Sequence, residues 1–473
     1  MSPLESGSSV LLPVMLLAIV QIAYSLTFLV DIYHFTRPVN WSELDGPSEI
    51  ERGPLPFIVL MYPVLNELES TMRTTFTALA RMDYPQDRYA IVAVPNHDDH
   101  ETIASLDRLR RDFPFLSVLE TPPTTDRSWD AVWSWWDTNP HSYWWHRGKY
   151  VHERALPPKK TRQLIYAFSR LREIHHDKGD FLVNYIDADS APPVDHFKAG
   201  ATGMGRYDVL QARNVAGNLN ASLAASWHAF DHMAWDGLKY PHLSANGTHP
   251  YWVLGKGLFF RSSDLYELGG FHPWIAIEDP EVGMRFWASG KRLGVIKGSL
   301  IEEVPETFSE GITQRKRWVC GFFQSLGHPL TELGFSPADK IKAWLNFLPC
   351  LSLWINAVGF PVGVWAIAAW LDDADVIPTW LVWLCAINLA CFVVSLGSLY
   401  ISTWRRTRLV LDKTSDRIGY MLRINPLFIL VWWIVWLIPL GLGFWMAIRE
   451  GGLVWERTRK VNANESLIHS QAR

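Results

Sequence analysis

The chain has 473 residues, with 44 Lys plus Arg against 48 Asp plus Glu and a formal net charge of −4. That balance leaves no basic surplus for a nucleic-acid partner, and 48% hydrophobic residues exclude a disordered chain. The length admits two or three domains. Apolar residues concentrate towards the two ends. The four cysteines, Cys320, Cys350, Cys385 and Cys391, show neither metal spacing nor a disulfide framework and read as small packing residues.

The first nine residues carry only Glu5, and Val10–Val30 is uncharged and as long as the ~20 residues a bilayer span needs. A signal peptide starts basic and has a shorter apolar core, so a retained anchor is expected over 8–31. Residues 32–55 form a polar connector with Pro38, Gly46 and Gly53. Strand-like and helix-like segments then alternate. Pro56–Val64 reads as a strand, and Asn66 as the cap of a helix Glu67–Met82. Strand Tyr89–Val94, helix Asp99–Phe113 and strand Phe115–Glu120 follow. An insertion over 121–158 holds Trp129, Trp133, Trp135, Trp136, Trp144 and Trp145. Indole rings favour membrane interfaces and sugar faces, so membrane contact is the first expectation there, acceptor or lipid-head contact the second and plain packing the third. Helix Thr161–His175, strand Phe181–Ile186, a helix near Val194–Gly203 and strand Tyr207–Ala212 continue the series. The alternation predicts an α/β domain with a mostly parallel sheet. Ligands on such sheets lie beyond the carboxyl ends of the strands, where Asn66-Glu67, Asp98-Asp99 and Asp187-Ala188-Asp189 stand.

Three more uncharged stretches, Ala343–Leu371, Val376–Trp404 and Ile424–Ile448, are each long enough to span. Asp372, Asp373 and Asp375 separate the first two, and Arg405, Arg406, Arg408, Lys413, Arg417 and Arg423 separate the last two. The positive-inside rule puts the basic loop in the cytoplasm, with the N-terminus outside and the middle of the chain cytoplasmic. Four full spans would leave Arg449, Arg457, Arg459 and Lys460 outside, against the same rule. Either the tail breaks the rule or one stretch is re-entrant or interfacial, for which the region around Pro349 and Pro361 is one choice.

Three short motifs carry chemistry. Asp187 and Asp189, at the end of an apolar run, offer hard oxygen ligands suited to Mg²⁺ or Mn²⁺ on a diphosphate; the competing reading is a solvated turn. Asp279 precedes Pro280, which suits a first helical turn, so Asp279 is expected at the N-cap of a helix Pro280–Ser289. The positive end of that helix would favour the ionised carboxylate of a general base. Gln314-Arg315-Lys316-Arg317-Trp318 places the planar fork of Arg317 where it can stabilise a departing diphosphate. The same stretch also reads as a basic, aromatic interfacial helix.

In this order the motifs resemble the membrane-integrated inverting glycosyltransferases of family 2, the group of cellulose, chitin and hyaluronan synthases, over about residues 8 to 460. The resemblance implies a cytoplasmic glycosyltransferase-A (nucleotide-diphospho-sugar transferase) fold over 50–305 and interfacial helices over 306–342. It also implies C-terminal transmembrane helices over 343–448 and a tail over 449–473. It makes Asp279 the catalytic base, with Glu278 orienting the site. Asn66, Glu67, Asp98, Asp99, Asp187 and Arg317 would bind the donor; of Asp98 and Asp99 one would bind the nucleotide and the other cap the following helix, which does which being open with Asp98 the first choice for the nucleotide. Asp187 and Asp189 would meet the metal, Mg²⁺ or Mn²⁺. Gln314, Trp318, Gly255 and Gly257 would line the acceptor cleft. The sequence departs from the family at Leu65, where Tyr is usual, at Ile277, where Thr is usual, and at Pro158-Lys159-Lys160-Thr161, where Gly-Lys-Ala is usual. The activity implied is β-linkage from a nucleotide-diphospho-sugar, such as a UDP-sugar, to a growing polysaccharide. Single transfer to a lipid acceptor is the alternative, and a non-catalytic membrane scaffold or transporter is the reading from another class. The setting implied is the lipid bilayer of the plasma membrane, with no nucleic-acid partner.

Overall fold

The computed structural model describes residues 3–42, 55–142, 154–244, 253–327, 335–449, 461–462, 464–465 and 468. Among these, seven strands form one sheet in the order β3-β2-β1-β4-β6-β5-β7. They are β1 (Ile58–Pro63), β2 (Tyr89–Val94), β3 (Leu116–Val118), β4 (Leu182–Tyr185), β5 (Val209–Ala216), β6 (Leu258–Arg261) and β7 (Leu293–Glu302). β6 runs antiparallel to both its neighbours, β4 and β5, while the other pairings are parallel. Alternate side chains point to opposite faces. Val59, Met61, Val92 and Val94 pack with helix Lys160–Ile174, whereas Ile58, Leu60, Tyr62, Ile91 and Ala93 pack with helices Glu69–Leu79 and His100–Asp112. Both faces are covered, which is why these strands read as unbroken apolar runs.

The five expected strands are present, β2 with the expected bounds, β1, β3 and β4 trimmed, and β5 starting later and running on to Ala216; β6 and β7 are additional. Asn66 does not cap a helix. The helix begins at Glu69 with Leu68 at the cap position and no side-chain cap bond. Asn66 instead takes a left-handed conformation, φ 50°, and its N–H donates to Asp99 Oδ2 at 2.5 Å.

The tryptophan insertion is also corrected. Helix Asp130–Thr138 turns Trp129, Trp133, Trp135 and Trp136 inward, all at most 6% exposed. Trp135 stacks on Tyr266 at 5.0 Å, and its Nε1–H donates to the Tyr266 carbonyl at 3.2 Å. Trp129 Nε1–H donates to the Pro122 carbonyl. Among the described residues, these buried rings make the helix a packing element. Trp144 and Trp145 lie outside the described residues.

Four helical stretches are long and apolar enough to cross a membrane: Val10–Phe35, Leu353–Asp372, Thr379–Leu409 and Pro426–Ile448. The region around Pro349 and Pro361 is one continuous helix, Pro337–Asp372. Polar side chains tie the bundle together. Tyr24 Oη donates to Asn356 Oδ1 at 2.5 Å, Asn388 Nδ2 donates to the Gln21 carbonyl and Oε1 at 2.8 Å, and Ser25 Oγ donates to Asn388 Oδ1. Such bonds favour association where water is absent. The amphipathic helix Phe308–Gly327 packs along Leu437–Ile448. A Cβ at Gly443 would lie 2.6 Å from the Lys316 carbonyl oxygen, so glycine permits this approach.

Candidate active site

Most of the acidic groups meet where the sheet order predicts. A cavity of ≈ 270 Å³ collects Glu67 after β1, Asp187 and Asp189 after β4, and Glu302 and Glu303 at the end of β7. The turn entering β6 adds Gly255 and Lys256, and the segment before helix Asp279–Ala288 adds Ile277, Glu278 and Asp279. Helix Phe308–Gly327 closes the far wall with Gln314, Arg317, Trp318 and Phe322, and Leu353, Trp436 and Leu440 extend the lining onto the apolar C-terminal helices. Among the expected site residues, Asn66, Asp98, Asp99 and Gly257 do not line this cavity. Asp99 is 6% exposed and caps helix His100–Asp112 by accepting from the Thr102 N–H. Asp98 is exposed beside His97.

Lys160 is the hub. Its Nζ lies 2.6 Å from Asp187 Oδ1 and 3.0 Å from Glu278 Oε1, and sits 5.1 Å from the Tyr185 ring centroid. Burial alone would depress its pKa, but the Asp187 and Glu278 carboxylates outweigh it and raise the pKa well above the ordinary lysine value. Gly255 leaves room for this hub, because a Cβ there would meet Lys160 Nζ and the Tyr185 ring at 3.1 Å. On the other side, Lys256 Nζ lies 2.6 Å from Glu302 Oε2. Glu302 also accepts from Ser190 Oγ and Asn214 Nδ2. Glu303 donates its backbone N–H to Asp189 Oδ2 at 3.0 Å, which orients the second acid of the Asp-Ala-Asp motif.

Asp279 is the first residue of its helix, with Glu278 in the cap position and no side-chain cap bond. The expected capping role is therefore replaced by a different contact: the Gly255 N–H donates to Asp279 Oδ2 at 2.8 Å. Nor does the helix terminus keep the carboxyl strongly acidic. Burial, followed by the adjacent Glu278, pushes its pKa up to about 7, against the pull of Lys160. Desolvation exceeds the helix-end effect here, since the latter is ordinarily worth only ~0.3–1 kcal/mol. Lys159 fixes the approach of this segment by donating to the Ile275 carbonyl at 2.9 Å, and burial lowers its own pKa to about 8. Gln324 Oε1 accepts from the Ala276 N–H. Ile277, where the family pattern has Thr, packs on Gly321 of the amphipathic helix.

Arg317 is 8% exposed and lines the cavity, and Gln314 Oε1 is buried there without a hydrogen-bond partner among the described residues. Between them Arg315, fully buried, grips Asp231 through Nε at 3.0 Å and Nη2 at 2.5 Å. Its guanidinium lies 5.1 to 5.4 Å from the rings of Trp318, Trp432 and Trp436. Trp432 and Trp436 donate their indole N–H groups to the same Asp231. Sequence reasoning missed Asp231, Arg315, Glu302 and Glu303. Only the paired acids at the end of a strand could have flagged the last two.

Asp187 and Asp189 fit a divalent cation by donor chemistry, both being hard oxygen donors at the cavity wall. Among the described residues no three His, Cys, Asp or Glu side chains converge as a cage. The fit is thus to a cation that arrives with a diphosphate supplying further oxygens, and not to a closed protein site.

A family model described as glycosyl transferase family group 2 matches residues 182–448. Probable glycosyltransferase YdaM of Bacillus subtilis (strain 168) is 22% identical over 281 residues, 56% of this chain and 55% of that protein. The chain thus matches about half the length of this curated relative. Mannosyltransferase PcManGT from Pyrobaculum calidifontis, solved in complex with GDP-Man and Mn²⁺, superposes with a TM-score of 0.51 at 15% identity. That match covers 91% of this chain and 98% of PcManGT, and it shows a shared fold. With more than half of its residues under the family model, from the β4 acids through the Gln-x-x-Arg-Trp helix to the last apolar helix, the chain belongs to glycosyl transferase family group 2.

Proposed function

We propose that this chain is a membrane-bound, inverting glycosyltransferase that moves a sugar from a nucleotide-diphospho-sugar to an acceptor hydroxyl presented from the membrane side. The observation that carries this reading is Asp279. It is a half-buried carboxyl tethered by the Gly255 N–H, with its pKa pushed up to about 7, in the same cavity as Asp187, Asp189 and Arg317. A base poised near the working pH is the arrangement proton abstraction favours. Asp279 takes the proton of the acceptor hydroxyl, whose oxygen bonds to the anomeric carbon. The bond from that carbon to the phosphate oxygen breaks on the opposite face, and the nucleoside diphosphate leaves with the electron pair. An α-linked donor therefore yields a β-linked product.

Asp187 and Asp189 would hold the Mg²⁺ or Mn²⁺ that neutralises the diphosphate. Lys160 holds Asp187 and Glu278 in register, and Arg317 faces the departing charge. Glu67, Asp98 and Asp99 belong to the donor side, where Asp98 is the exposed acid for the nucleotide and Asp99 shapes the loop through its contact with the Asn66 N–H. Trp318 and Gln314 belong to the acceptor side, with Gly255 and Gly257 shaping the turn between. The intact Gln-x-x-Arg-Trp motif favours repeated addition to a polysaccharide. A second reading, single transfer to a lipid acceptor, is favoured by the apolar wall of Phe322, Leu353, Trp436 and Leu440, which leads from the acids to the membrane helices.

The test is purified protein in lipid nanodiscs with UDP- and GDP-sugars and Mg²⁺ or Mn²⁺, followed by sizing of the labelled product. GDP-sugars are included because PcManGT was solved with GDP-Man. Release of nucleoside diphosphate that is lost in Asp279→Asn is expected. A long-chain ladder identifies a polysaccharide synthase, and one lipid-sized species a glycolipid transferase. No turnover of any donor with either metal would sink the reading.

A further inference from the structure

We propose that His232 and Asp236 form a subsite that holds a hydroxyl group of the acceptor's terminal sugar, which rests on the proposed transferase activity. The pair lies outside every motif in the sequence. Helix Leu223–Ala234 continues into a π-helical turn, Trp235–Lys239, and such turns recur at functional sites. Positions 231, 232, 235 and 236 of this stretch all line the cavity. His232 and Asp236 are 6% and 7% exposed, with His232 Nδ1 2.7 Å from Asp236 Oδ2.

Their neighbour Asp231 is already saturated by Arg315 and two indoles. His232 is not: among the described residues its Nε2 has no hydrogen-bond partner. A carboxylate on Nδ1 fixes the tautomer and ring orientation, leaving Nε2 to accept from an O–H group. The His232 and Trp318 rings meet at 81°, 6.1 Å between centroids. An apolar indole thus adjoins the polar imidazole on one wall of the cavity.

The charges around the cavity favour a neutral ligand group over a phosphate at this place. Lys160 is engaged by Asp187 and Glu278, and Lys256 by Glu302. Asp236 adds a carboxylate directly behind the histidine. A phosphate here would meet the Asp236 carboxylate, whose charge already interacts with Lys256 and Arg406, and Arg317 in the same cavity is assigned to the diphosphate, whereas a sugar hydroxyl needs only Nε2. The subsite sits on the wall that carries Trp318 and Trp436. It would thus hold the acceptor sugar while Asp279, tethered by Gly255, takes the proton from the attacking hydroxyl.

The experiment uses the full chain in nanodiscs, His232→Ala and Asp236→Asn, and a panel of octyl glycosides as acceptor probes. Two rates are read separately: nucleoside diphosphate released by donor hydrolysis without acceptor, and sugar transferred to the probe. A rise of tenfold or more in the acceptor KM in both variants is expected, with donor KM and acceptor-free hydrolysis within about twofold of wild type. His232→Gln, which restores an acceptor oxygen, should recover part of the loss. Equal falls in hydrolysis and transfer would mark a structural role and overturn the assignment. An unchanged acceptor KM, or a wild type that no sugar-bearing probe accelerates, would overturn it as well. Should His232→Ala fail to fold, the near-isosteric Asp236→Asn decides by the same readouts. A wild type that hydrolyses no donor would defeat the transferase reading itself, a result distinguishable from all of these.

Discussion

At the scale of single residues, Asp279 shows burial and hydrogen bonding at odds. Lys160 and the Gly255 N–H favour the charged form, while burial and Glu278 favour the neutral form and prevail. Transfer should therefore rise with pH through about 7 before levelling, and Asp279→Asn should lose about 10²–10⁴-fold in rate, the usual range for a positioned base. Stability should move the other way. An unfolded aspartate ionises near ~3.9, so between there and about 7 the folded chain binds the proton that the unfolded chain has lost, and stability falls as pH rises. Thermal unfolding of wild type minus Asp279→Asn across that window should show this slope, and a flat difference would contradict the raised pKa. Legibility at this scale follows sequence distance. Glu278-Asp279 and Asp187-Ala188-Asp189 are visible because the acids adjoin, but the cation that joins them, Lys160, comes from a separate helix and is ordinary in its own context.

Among the elements, the amphipathic helix Phe308–Gly327 carries the most consequence, since it presents Arg317 and Trp318 to the cavity while Arg315 anchors it from behind. The Arg315–Asp231 pair is buried and completed by two indole donors from the last apolar helix. Removing one partner of such a pair commonly costs ~3–5 kcal/mol. Arg315→Met should accordingly lower the unfolding temperature and transfer together, and adding Asp231→Asn should cost less than the second single change alone. Additive losses would mean the two side chains act independently. The sequence offered this stretch as an interfacial helix but gave no sign of its anchor, because Asp231 stands alone in an otherwise unremarked helix. Strands β6 and β7 were hidden for a related reason. β6 has only four residues, and β7 is broken by Gly294, Lys297 and Gly298, with a register irregularity in its pairing with β5 near Ala212 and Arg213.

For the whole molecule, the described tail residues touch the catalytic domain. Val461 N–H donates to Glu303 Oε2, Thr74 Oγ1 to Asn462 Oδ1, and Arg81 Nη1 to the Ile468 carbonyl. We predict from these contacts that tail and catalytic domain share one side. If Leu353–Asp372 crosses outward and Thr379–Leu409 returns, Pro426–Ile448 cannot also cross. Its division at Trp436 and its packing along the amphipathic helix accord with a stretch that stays on the catalytic side. We predict that single cysteines at Glu465 and Asp107 are labelled from the same side of sealed vesicles. Labelling from opposite sides would restore four crossings. Composition alone counted the apolar stretches but could not sort them, because hydropathy measures suitability for lipid and not which neighbour has taken the surface.

The reversed direction of β6 has one more effect. In a wholly parallel sheet the rim around the acids would consist of segments leaving strands, free to lengthen or drift as they run into helices. β6 instead begins at that rim, laddered on both sides from its first residues. Its preceding turn is the piece of backbone that touches the Asp279 carboxylate. The carboxylate proposed as the base is thus indexed to the framework itself, so the surrounding loops could diversify while its position keeps its origin.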